Sequence, residues 1–254
     1  MRLCIESIDY YLPENIISNE DLKIENPDWD IEKVSSKTGV YNRHIAAEHE
    51  TAYDLALKAC SRLIDNNQLN DLDGIIFCTQ SPDYIMPSNS FLMHRDLGLS
   101  KDVFCFDFNH ACAGYIYSLK MSEAFMRADM AEKILLINAD TYSKYIHPKD
   151  RSTKVLFGDA AAATLVKKEN IGNGIIDIDV GSDGTGWDKF WIEAGGLRVP
   201  KSASTKKEIE DNAGSTKTRE NISMDGIGVW SFINSVAPKQ IKDMLIKNSM
   251  TIDD

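Results

Sequence analysis

The sequence predicts an α/β fold with buried, largely parallel strands, and three observations carry that reading. Short apolar runs of strand length alternate with stretches of helical periodicity along most of the chain. The junctions hold turn and cap residues, among them Pro87-Ser88, Gly98 and Gly181-Ser182-Asp183-Gly184. With 254 residues and 43% hydrophobic content, the chain can build one large α/β domain or two half-sized ones around separate cores.

Taken in order, residues 3–8 read as an opening strand. Ala52, Leu55, Ala56, Ala59, Leu63 and Ile64 then recur at helical spacing, and residues 74–79 form a short apolar strand. Pro87-Ser88 starts the next helix, with the serine oxygen expected to cap its free amides, and Gly98 ends it in the left-handed conformation. A strand at 103–108 runs through 109–111 into a helix beginning near Ala113. Strands at 133–139 and 160–166 follow, the second after the turn Phe157-Gly158-Asp159. These elements make up a first half, residues 1–170.

A second half, residues 171–254, is expected to open with a strand at 174–180 and to enter a polar stretch at 201–221 that reads as a mobile surface insertion. Its final helix carries Ile227, Val229, Trp230, Ile233, Val236, Ile241, Met244 and Leu245, with Pro238 expected to kink or restart it. So broad a stripe needs a sheet to cover. The second half therefore reads as incomplete, since a layer equal to the first would take on the order of a hundred more residues.

Charge and cysteine content narrow the function classes. The formal net charge is -11, from 39 acidic and 28 basic residues, so no global positive field exists to hold a nucleic-acid backbone. An acidic protein partner would need a local basic patch. Cys4, Cys60, Cys78, Cys105 and Cys112 are odd in number and lack CxxC spacing, which reads as thiols in a reducing cytoplasm and implies no metal site. The N-terminus turns polar too early for a signal peptide, and no apolar run reaches the roughly 20 residues that span a bilayer. A soluble, cytoplasmic chain is expected.

Residues 107–114 read DFNHACAG, at the junction where an apolar strand gives way to a helix. A thiol there faces unpaired amides and the positive end of the helix dipole, which favour the thiolate. Ala111, Ala113 and Gly114 are small, as a tight elbow requires if Cys112 is to project into a cleft. The amide of Cys112 can serve as one donor of an oxyanion hole. Most free cysteines are simply buried small hydrophobes, and the elbow by itself leaves both readings open.

Several ordered motifs together resemble the ketoacyl-ACP synthase III family. Residues 38–46 read TGVYNRHIA, followed by Glu50-Thr51; residues 79–88 read TQSPDYIMPS; residues 110–114 read HACAG; and residues 156–163 read LFGDAAAA. Gly181 and Gly184, Ala194-Gly195-Gly196 and Met224-Asp225-Gly226 complete the series. The resemblance implies a thiolase-like fold, layered αβαβα in two pseudo-duplicated halves, and a homodimer. It implies that Cys112 takes an acyl group from an acyl-CoA or carrier-protein thioester and that a malonyl thioester then condenses with it, losing carbon dioxide. It implies no cofactor beyond these thioester substrates.

The chain also departs from the family. The segments beginning HQAN and GN, which hold the family's decarboxylating histidine and asparagine, are absent. A longer native protein and a degenerate homologue are the two explanations, and the uncovered apolar final helix favours the first. His44, His49, His94, His110 and His147 are expected in surface or structural roles. Lys33 and Lys37 stand where bacterial members commonly place a tryptophan and an arginine against CoA, which removes stacking and bidentate bonding. Arg151 matches a family position near the nucleotide, and Met86 replaces a phenylalanine at the acyl-pocket mouth. Arg151, Lys37 and Met86 are therefore candidate substrate-binding residues. Alternatives are a non-catalytic subunit of the same fold and acyl transfer to an alcohol or amine.

Overall fold

A computed structural model describes residues 1–169, 174–211 and 214–253. In chain order its strands are β1 (Arg2–Tyr11), β2 (Asn15–Ser18), β3 (Asn42–Ile45), β4 (Gly74–Cys78), β5 (Phe104–Phe108), β6 (Lys133–Asp140), β7 (Ala160–Glu169), β8 (Phe190–Ile192), β9 (Ile209–Glu210), β10 (Thr216–Lys217) and β11 (Ile222–Met224). The helices are α1 (Asn19–Glu25), α2 (Ile31–Thr38), α3 (Ala52–Ala59), α4 (Ser61–Asp65), α5 (Asn89–Asp96), α6 (Gly114–Arg127), α7 (Arg151–Lys154) and α8 (Gly226–Lys247). They fold as two compact units interleaved in sequence. The first comprises Met1–Asn15, His44–Thr141 and Asp159–Val180, and the second Ile16–Arg43, Tyr142–Gly158 and Gly181–Asp254.

The first unit is built on a five-stranded sheet of order β1-β7-β6-β4-β5. β4 runs parallel to both β5 and β6, whereas β7 is antiparallel to both β6 and β1. The sheet is thus mixed where largely parallel pairing was expected: β7 returns antiparallel to β6, in register from Asp140↔Ala160. All five residues of β4 are buried, as a strand covered on both faces must be. Ile75 and Phe77 meet Ala52, Leu55, Ala56 and Ala59 of α3, together with Leu63 and Met93, in one core. Ile76 turns to the opposite face, into a core with Ile134, Leu136, Val166 and Leu119 and Met126 of α6. The period-two alternation of the strand therefore fills two helical layers.

Two expectations for this unit are corrected. Ile64 is 42% exposed: Leu63, 2% exposed, keeps the stripe's face beyond the Cys60 cap shared by α3 and α4, and Ile64 stands about 100° around the helix from it. Residues 174–180 form no ladder; one bridge, Leu3↔Ile175, is their pairing among the described residues. A strand needs a neighbour, and the side chain absent from Gly174 allows close approach to the Leu3 carbonyl without extending the pairing.

In the second unit Leu22, Trp29, Ile31 and Val155 form a small core, and the buried Arg43 guanidinium donates to the Val155 carbonyl. β8 pairs with β11 and β9 with β10, both antiparallel. The polar stretch 201–221, expected as a mobile insertion, carries defined structure in its described residues. Thr205 and Ser215 are buried, Thr205 Oγ1 accepts from Ser202 N at 2.8 Å and donates to Glu220 at 2.6 Å, and Asp211 accepts from Ser215 N at 3.0 Å. Hydroxyl and carboxylate side chains close these turns on their own backbone, so little apolar burial is required. α8 is one element through Pro238, which does not divide it, and Ile227, Trp230, Phe232, Ile233, Ile241 and Ile246 on it are exposed. Among the described residues no helix is long and apolar enough to cross a membrane.

Candidate active site

In the first unit β4 and β5 end level at Cys78 and Phe108, and β6, parallel to β4, runs two residues further to Asp140. Residues 109–113 then form a tight elbow: Gly114 N donates back to Ala111 O at 2.8 Å, and Tyr117 N donates to Ala113 O at 3.0 Å as α6 begins. Cys112 lies in this elbow and is exposed, unlike the buried Cys60 and Cys78. The α6 cap, Ala113, makes no side-chain hydrogen bond.

Two side chains leaving the end of β4 hold the elbow. The buried Cys78 thiol donates to the His110 carbonyl at 3.2 Å, and Gln80 Nε2 donates to Asn109 Oδ1 at 2.8 Å. Space beneath the elbow is fully used, since a Cβ on Gly114 would stand 2.4 Å from Cys78 Sγ. Burial pushes the Cys78 thiol up to about 11, so it stays a donor and does not compete as a thiolate. Gln80 is fixed in turn by Asp140, whose Oδ1 accepts from Gln80 N at 2.7 Å, Ser81 Oγ at 3.0 Å and Thr79 Oγ1 at 3.1 Å. Despite these donors, burial raises the Asp140 acid to about 6.

His110 places its ring edge-on to Tyr117, with centroids 4.5 Å apart, and 5.4 Å from Phe108. Met86 belongs to the same unit, on a loop where it is 80% exposed beside Ile85 and Tyr84, and the Met86-Pro87 bond is cis. That loop is tied down through Asp83, which accepts from Thr51 Oγ1 at 2.6 Å, Tyr53 N at 3.1 Å and Asn89 Nδ2 at 3.2 Å. Ser88, expected to cap α5 through its side chain, makes no such bond. Asp107 of β5 does so instead, accepting from Asn89 N at 2.8 Å and Ser90 N at 3.1 Å, because the strand lies under the helix start and a carboxylate offers both oxygens. Gly98 does adopt the left-handed conformation, at φ 62°.

Lys37 and Arg151 belong to the second unit. Lys37 is exposed in the last turn of α2, and Arg151 opens α7. The fully buried Asp150 caps α7, accepting from Ser152 N at 2.9 Å and Thr153 Oγ1 at 2.7 Å. Sequence reasoning missed the supporting residues Cys78, Gln80 and Asp140. One signal was available for Asp140, a lone acid closing the apolar run Ile134-Leu135-Leu136-Ile137.

Comparisons with known proteins agree on one family. The family model for 3-oxoacyl-[acyl-carrier-protein (ACP)] synthase III matches residues 106–184, which contain the elbow. A beta-ketoacyl-[acyl-carrier-protein] synthase III of Fusobacterium nucleatum is 32% identical over 98% of this chain and 74% of its own length. One from Caldanaerobacter subterraneus is 35% identical over 96% of this chain and 71% of its own. Among solved structures, a 3-oxoacyl-(acyl-carrier-protein) synthase III superposes with a TM-score of 0.95 at 37% identity, covering all of this chain and 76% of the other. The synthase III of Thermus thermophilus gives a TM-score of 0.83 at 29% identity, covering 99% and 74%.

Proposed function

The chain belongs to the 3-oxoacyl-[acyl-carrier-protein] synthase III family of thiolase-fold condensing acyltransferases, and from that premise we propose that Cys112 is its acyl-accepting nucleophile. The observation that carries this reading is the exposed thiol on a clamped strand-to-helix elbow, with the chain's other described thiols partly or fully buried. The Cys112 thiolate attacks the carbonyl of an acyl-CoA thioester and expels the CoA thiolate. A malonyl-acyl carrier protein then loses its carboxylate as carbon dioxide, a step the family assigns to a histidine and an asparagine in segments this sequence does not contain, and the resulting carbanion attacks the acyl-cysteine and releases the Cys112 thiolate. Thioester exchange and decarboxylation draw on bonds already in the substrates, so the reaction as written needs no cofactor.

In this reading Lys37 and Arg151 supply positive charge for the phosphates of CoA, and Met86, on its exposed loop, meets the acyl chain. A homodimer is supported by the free edge of β5 and by exposed Phe91 and Phe106. Free cysteines throughout support a reducing, cytoplasmic setting. The test is direct: incubation with acyl-CoA should add one acyl mass to the peptide containing Cys112, and Cys112→Ala should abolish it. Absence of that adduct, or its persistence in Cys112→Ala, would overturn the assignment.

A further inference from the structure

We propose that Cys78 is a positioning residue for the acyl-accepting cysteine, its buried thiol holding the elbow in place through the hydrogen bond to the His110 carbonyl. The inference rests on the assignment of Cys112 as nucleophile.

Cys78 is 3% exposed and closes β4, paired across the sheet with Phe108 on one side and Asn138 on the other. Its position is therefore set by backbone ladders on both flanks. From that point its sulfur reaches up to the carbonyl two residues before Cys112, at 3.2 Å. The same sulfur fills the space against Gly114, two residues after Cys112, where a Cβ would meet Sγ at 2.4 Å and Asn138 Nδ2 at 3.6 Å. One atom thus touches both sides of the elbow, which gives it a hydrogen-bonding role and a packing role. Burial keeps the thiol protonated, as a donor must be. Displacing a reacting group by about 1 Å costs on the order of a hundredfold in rate, so loosening this strut acts on the reaction without touching the substrate.

The two roles separate experimentally. Cys78→Ala removes both, Cys78→Ser keeps a donor, and Cys78→Ala combined with Gly114→Ala returns a methyl to the emptied space without a donor. The readout is single-turnover acylation of Cys112 in the full chain, followed by mass spectrometry of its peptide over a range of acyl-CoA concentrations. Cys78→Ala should slow acylation at saturating acyl-CoA about tenfold or more with half-saturation unchanged, because the nucleophile moves and the binding surface does not. Cys78→Ser should recover most of that rate, and the double variant should not. A parental rate in Cys78→Ala, equal losses in Cys78→Ala and Cys78→Ser, or full recovery in the double variant would each overturn the proposal. Failure of the underlying assignment reads differently, as an acyl group that is absent from Cys112 in the parent chain.

Discussion

Asp140 ends β6 in surroundings that oppose its charge. Three donors converge on Oδ1, from Thr79, Gln80 and Ser81, and burial still outweighs them, raising the acid from 3.8 to about 6. A native value above the unfolded one means that the folded chain holds the proton more tightly. The contribution of Asp140 to the unfolding free energy therefore falls as pH rises from about 3.8 to about 6 and is level above that window. A shift of this size corresponds to about 3 kcal/mol. Asp140→Asn removes the titration while keeping an oxygen for the same three donors. The difference in unfolding free energy should swing toward the variant by about 2.4 kcal/mol between about pH 4 and about pH 7. Urea unfolding of both proteins in half-unit pH steps measures it. The slope with pH carries the test rather than the absolute offset, because the asparagine amide introduces a donor of its own. A difference that stays constant across the window refutes the reasoning.

Two further substitutions probe other supports. Asp107→Ala strips both acceptors from the first amides of α5 and should cost about 1–2 kcal/mol, with faster hydrogen exchange at Asn89 and Ser90; unchanged exchange there would show that the carboxylate is not the cap. Thr205→Val leaves Ser202 N and Glu220 without their shared hydroxyl and should cost about 1–3 kcal/mol, with exchange protection lost across the turns at 202–221. Protection equal to the parent's would mean that some other group organises the segment.

The parts of the fold that were legible from sequence are those decided locally. The apolar run of β4, the helical spacing of α3 and the small residues around Cys112 each state their own conformation, because side-chain period and size act within a few residues. What escaped depends on pairing across the chain. Ser88 reads as the cap of α5 from its type and place, yet the group that caps it is Asp107, brought underneath by β5. Cys78 reads from sequence as one reduced thiol among five, and the sheet is what places it beneath Gly114. Residues 174–180 have strand-like composition but one bridge to show for it, since propensity cannot supply a partner strand. The polar stretch 201–221 misled in the opposite direction, its serines, threonines and acids building turns that composition alone reads as freedom.

One clamp on the elbow, Cys78, ends β4, whose residues Gly74–Cys78 are all buried between β5 and β6; the other, Gln80, follows two residues later. Catalytic loops are commonly drawn from the part of a protein that opens most easily. Here the elbow that carries the exposed Cys112 is tethered to a strand buried on both faces, the kind of element that opens late. Loosening the elbow then means loosening the end of the strand below it, so hydrogen exchange at the elbow should follow that of β4.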